Sequence, residues 1–136
     1  MKKTYIEKHI SGIENNDYYI KSVEYCSEGL IITLTCNEQK DILKIKFNGF
    51  IESYRYGSEN YRTKILEKLE KNSSHNISNK FHYFYLEKSK YLTWLDDESY
   101  TITSANKSKH YMFIDKNSVL DVITWYDPEI EIIKTN

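Results

Sequence analysis

Two residues near the C-terminal end, His110 and Asp121, carry the clearest chemical potential in the chain. A histidine beside a carboxylate can act as a general base, because the carboxylate orients the ring and favours its protonated form. Whether the two meet depends on a turn at Asp115-Lys116-Asn117-Ser118. Asp and Asn bond their own backbone, and Asn tolerates positive φ, so this tetrad can reverse a chain. With Lys116 and Asn117 as a two-residue loop, Ile114 faces Val119, Met112 faces Asp121 and His110 faces Ile123. His110 and Asp121 then become diagonal neighbours on one sheet face. That face also carries Met112, Ile114, Val119, Ile123 and Trp125, and the opposite face carries Tyr111, Phe113, Leu120, Val122 and Tyr126. Both are apolar enough to predict a hairpin covered on two sides. The plainer reading of the pair is a buried histidine satisfied by a carboxylate. His82, between Phe81 and Tyr83, reads as a core histidine.

The acidic run Asp96, Asp97 and Glu98 follows an aromatic stretch. With Trp94 and Trp125 it forms a candidate partner-binding set, an aromatic anchor beside a charged rim. Its plainer reading is a charged strand end that keeps an edge soluble. It is not a calcium loop, which needs alternating ligands and a glycine turn. No metal or cofactor is expected. Cys26 and Cys36 lack metal spacing and read as small buried hydrophobes. The chain has no glycine-rich phosphate loop, no Cys-x-x-Cys, no His-Glu-x-x-His and no Gly-x-Ser-x-Gly. Tyr54-Arg55-Tyr56, Tyr61-Arg62 and Lys64 give a basic-aromatic stripe, but Glu52, Glu59 and Glu67 interrupt it. Nucleic acid is therefore not the expected partner.

The 136 residues suit one domain with a core that needs no disulfides. Net charge is −1. Residues 1–90 hold 15 basic and 12 acidic side chains, and residues 91–136 hold 4 and 8, so the C-terminal region is acidic. No apolar run reaches the roughly 20 residues that span a bilayer. After Met1-Lys2-Lys3 no apolar signal segment follows, so a cytoplasmic protein without membrane contact is expected. Thirteen tyrosines suit recognition surfaces. Ile, Lys, Asn and Tyr also share AT-rich codons, and composition is the simpler cause.

The positioning elements read as follows. Tyr18 to Cys26, Leu30 to Cys36 and Asp41 to Phe50 form an antiparallel meander with one wet face, Lys44 and Lys46 pointing outward. Residues 58–71 form a helix capped by Ser58, with Tyr61, Ile65 and Leu69 on its packed stripe. Phe81 to Leu86 reads as an interior strand and Tyr91 to Leu95 as its hairpin partner. Residues 5–13 suit a short N-terminal helix or a strand. The class is α+β: a mainly antiparallel twisted sheet of about six to eight strands with one packed helix.

This order of features, with Ser58-Glu59, Trp94-Leu95-Asp96-Asp97-Glu98-Ser99, His110-Tyr111, Leu120-Asp121-Val122-Ile123 and Asp127-Pro128-Glu129-Ile130, resembles small cytoplasmic immunity proteins of Gram-positive bacterial polymorphic-toxin systems. The likeness is strongest over residues 80–133. It implies a non-enzymatic inhibitor that binds a cognate toxin domain, and it assigns no site residues. The alternatives are a small enzyme or ligand binder with an aromatic, His-lined pocket on the sheet face, and a structural homo-oligomer.

Overall fold

The computed structural model describes residues 5–13, 17–36, 41–73, 80–99 and 107–134. The fold is α+β with antiparallel sheets, as the patterning predicts, but its strands divide between two sheets. Strands β1 (Tyr5–Lys8), β6 (His82–Leu86), β7 (Lys109–Ile114), β8 (Ser118–Thr124) and β5 (Ile51–Ser58) form one sheet in the order β1-β6-β7-β8-β5. Strands β2 (Tyr19–Cys26), β3 (Gly29–Thr35), β4 (Ile42–Asn48) and β9 (Glu129–Ile133) form the other, in the order β2-β3-β4-β9. The reason for two sheets lies in the meander. Leu30, Ile32, Leu34, Leu43, Ile45 and Phe47 make a continuous dry face, each fully buried. Such a face needs a cover, and Tyr83, Tyr111, Phe113, Leu120 and Val122 of the five-stranded sheet supply it. Lys44 and Lys46 remain on the outer side, each opposite a glutamate of β9.

The β7–β8 hairpin has the register expected from its turn, with His110 opposite Ile123, Met112 opposite Asp121 and Ile114 opposite Val119. Asp115 does more than reverse the chain. Its Oδ1 accepts from the backbone N–H of Asn117 (2.8 Å) and Ser118 (2.6 Å) and from the Ser118 hydroxyl (2.8 Å). Its Oδ2 accepts from the Ile20 N–H at 2.7 Å, which ties the hairpin to the opposite sheet. Asp115 is buried, so Asp115→Ala leaves several donors stranded. A loss of about 2–4 kcal/mol in urea unfolding is expected, with Asp115→Asn retaining some of the stability.

The outer face of the five-stranded sheet carries Phe84, Leu86, Met112, Ile114 and Val119. Helix α1 (Thr63–Ser73) covers it with Ile65, Leu66 and Leu69, and Tyr5 packs beside them. The helix begins later than its sequence pattern suggests. Ser58 caps a short 3-10 turn, Glu59–Tyr61, and α1 follows after Arg62. At the N-terminus the strand option is the one found, since Tyr5 to Lys8 pair with β6.

The segment expected to be the hairpin partner of β6 is instead helix α2 (Lys90–Glu98). Tyr91, Thr93 and Trp94 favour strands individually, but the Ser89 side chain accepts from the Leu92 N–H at 3.1 Å and starts a helix. Lys88, at φ 53°, turns the chain through the left-handed region just before that cap. The acidic run Asp96-Asp97-Glu98 therefore closes a helix, not a strand. Cys36 is buried, whereas Cys26 is exposed at the end of β2, contrary to its reading as a core residue. His82 is buried, with Nδ1 2.8 Å from Glu7 Oε1.

Candidate functional site: a basic cleft over a buried aspartate

Asp121 lies mid-strand on β8 with no solvent exposure. A buried carboxylate must be paired, and here three elements deliver partners. His110 on β7 places Nε2 2.6 Å from Oδ1. Arg55 on β5, the neighbouring strand, donates from Nε to Oδ2 at 2.8 Å. Arg62, in the link before α1, donates from a terminal nitrogen to the same Oδ2 at 2.5 Å. Burial pushes the Asp121 carboxyl up, but the His110 bond and the charges of His110, Arg62 and Arg55 outweigh it. The net effect lowers it to about 2.

That shift has a consequence for acid stability. The folded value lies below the unfolded one, so the stabilisation is complete above about pH 4 and is lost as pH falls toward about 2. It amounts to about 2 kcal/mol. Urea unfolding at a series of pH values is expected to lose this amount across that window. Asp121→Asn is expected to flatten the response, from a lower starting stability.

His110 is fully occupied. A carboxylate can only accept, so the proton shared with Asp121 is on Nε2. Nδ1 lies 2.6 Å from the Ser89 hydroxyl, and Ser89 Oγ accepts from Leu92 N–H. The cap of α2 is thus connected through His110 to Asp121. With 1% of His110 exposed and both nitrogens engaged, the ring can take a proton only through Ser89, the order of a Ser-His-Asp triad. The pair predicted from sequence does meet, within a hydrogen-bonded chain that runs from Ser89 through His110 to Asp121.

What the network positions is the wall of a cleft of about 450 Å³ between α1, α2 and the outer sheet face. Arg55, Arg62, Lys64, Lys68 and Lys90 line it, and no carboxylate does so among the described residues. Asp121, behind the wall, offsets one of these five formal charges and leaves four. The other wall is aromatic and apolar, with Tyr5, Tyr91, Trp94, Leu86 and Met112. Tyr91 is held between neighbours. The Arg55 guanidinium lies 4.0 Å from its ring centroid, Trp94 stacks at 5.8 Å, and its hydroxyl bonds Ser53. Burial raises the Tyr91 phenol above its ordinary value, so it stays neutral. Trp94, half exposed, stands at the mouth.

The residues singled out in the sequence separate here. His110 and Trp94 line the cleft, and Asp121 braces it. Asp96, Asp97 and Glu98, at the far end of α2, and Trp125, beyond β8 with Lys107 5.2 Å from its ring centroid, do not. The acidic C-terminal region does not make a single surface either, because Asp115 and Asp121 are buried against partners inside the chain. Sequence reasoning missed Ser89, Tyr91, Lys68 and Lys90 as site residues. The basic-aromatic stripe did contain Arg55, Arg62 and Lys64, and the interrupting glutamates do not line the cleft. No helix among the described residues is long and apolar enough to cross a membrane. Comparison of the chain with family models, curated proteins and solved structures returns no match, so the geometry of the site carries the functional reading.

Proposed function

We propose that this chain is a non-catalytic binding protein that takes an anionic guest in the basic cleft. The observation that carries the reading is the charge surplus of that wall: five cationic side chains against one buried carboxylate. Like charges confined to one concavity repel, and an anion relieves them. The cavity volume falls in the ordinary range of ligand sites. Thermal unfolding of the protein with pyrophosphate, sulfate or spermidine tests the reading. Guest present at about a hundredfold its Kd adds roughly 2.7 kcal/mol, so a higher midpoint is expected with the anions and none with the cation. Equal midpoints in all conditions would remove the reading.

A second reading keeps the immunity resemblance, and the exposed Trp94 indole at the cleft mouth favours it. Buried Trp anchors dominate many protein interfaces. In that version an acidic segment of a toxin domain enters the cleft and Trp94 packs against the toxin surface. Co-expression with the product of the adjacent gene tests it. A stoichiometric complex that survives high salt and is lost in Trp94→Ala supports it, and recovery of the protein alone removes it.

A further inference from the structure

Resting on the anion reading, we infer that the guest is a nucleotide-like molecule, a phosphate group of two or more negative charges joined to a planar ring. Three features of the cleft lead there. First, a surplus of four positive charges is poorly matched by a single carboxylate and well matched by a phosphate or diphosphate. Second, Arg55 and Arg62 converge on one atom, Asp121 Oδ2, at 2.8 and 2.5 Å. Each bond uses one edge of a planar guanidinium and fixes its direction. The remaining N–H groups of two side chains anchored at a common point suit the several oxygens of a phosphate. Asp121 is then a positioning residue, held in turn by His110 and Ser89. Third, the cleft has two chemically distinct walls. Phosphate alone would need only the basic one, whereas Trp94, Tyr91, Leu86 and Met112 offer a ring-sized apolar surface beside the polar anchors. Base-to-aromatic stacking is tolerant of base identity, and such a site discriminates nucleotide from bare phosphate by about tenfold or more.

Helix α2 adds to the basic wall. Its first residues, Lys90 and Tyr91, border the cleft next to the Ser89 cap, so the positive end of the helix faces the guest.

Calorimetric titration of the protein with adenosine diphosphate, uridine diphosphate, pyrophosphate and citrate separates the possibilities. Both nucleotides are expected to bind at least about tenfold more tightly than pyrophosphate. That advantage is expected to vanish in Trp94→Leu, which keeps apolar bulk without a stacking face, while pyrophosphate affinity stays unchanged. Trp94 is half exposed, so the variant is expected to fold, and circular dichroism checks that it does. Pyrophosphate and citrate binding as tightly as the nucleotides would overturn the planar-ring inference and leave the anion reading standing. Nucleotide binding unaffected by both Trp94→Leu and Arg62→Ala would place the ligand elsewhere and overturn the inference. No binding by any of the four would overturn both.

Discussion

Asp121→Ala is expected to cost about 3–5 kcal/mol of folding stability, the largest effect of any single substitution at the site. Removing the carboxylate leaves His110, 1% exposed, facing Arg62, whose side chain is 20% exposed, and Arg55 beside it. His110 and Arg62 lose their acceptor in a poorly solvated place, and Arg55, 47% exposed, loses its anchor. For a chain of this size that corresponds to roughly 10 °C or more in Tm. Asp121→Asn discriminates between charge and shape. An amide presents one donor and one acceptor side, but Oδ1 and Oδ2 both receive donors, from His110 and from the two arginines. With the amide oxygen toward the arginines, the NH2 is satisfied only if the His110 proton moves to Nδ1, and the arginines lose their counter-charge, so a substantial loss is expected in spite of the matched size. Urea unfolding monitored by circular dichroism gives both values. A loss below about 1 kcal/mol for Asp121→Ala would mean that the arginines are held by something other than this carboxylate.

The second large effect concerns binding without stability. Lys64 and Lys68 stand on α1 at the cleft wall, partly or well exposed, and among the described residues the wall holds no carboxylate for either. Lys64→Glu with Lys68→Glu removes four units of charge, which equals the surplus. At about 8 Å in a water-like medium one unit pair contributes roughly 0.5 kcal/mol, so a guest of charge −2 is expected to lose about 4 kcal/mol, on the order of 10³-fold in affinity, at low salt. The loss shrinks as salt rises, because these side chains are screened. Stability is expected to stay within about 0.5 kcal/mol of the parent, as for most surface substitutions. This separation is what distinguishes the lysines from Asp121, whose removal affects the fold first.

How far the sequence shows these features differs by element. The β7–β8 hairpin is legible because its signals are local: Asp115 and Asn117 make the turn, and both flanking strands are apolar on two faces. That local register is enough to bring His110 and Asp121 onto one face. The division into two sheets is not local, since it depends on what covers the dry side of β3 and β4. Helix α2 is hidden by its own composition. Tyr91-Leu92-Thr93-Trp94-Leu95 reads as a strand until Ser89 is recognised as a cap, and the Ser-x-x-Leu spacing gives little warning. The arginines are the hardest to foresee. Arg55 and Arg62 reach Asp121 across 66 and 59 residues of chain, from an edge strand and a linking turn. No spacing rule connects them. Only the pairing of β5 with β8, which sets Arg55 opposite Asp121, reveals the convergence.

The claim that the cleft receives an anion is tested most directly by fluorescence titration of Trp125→Phe with pyrophosphate. That variant leaves Trp94, at the cleft mouth, as the single indole. The expected result is a saturable change in Trp94 emission whose midpoint rises with salt and which disappears when Lys64→Glu and Lys68→Glu are added. An emission that pyrophosphate does not alter, or a titration identical in the charge-reversed protein, would contradict the assignment of the cleft as the binding site.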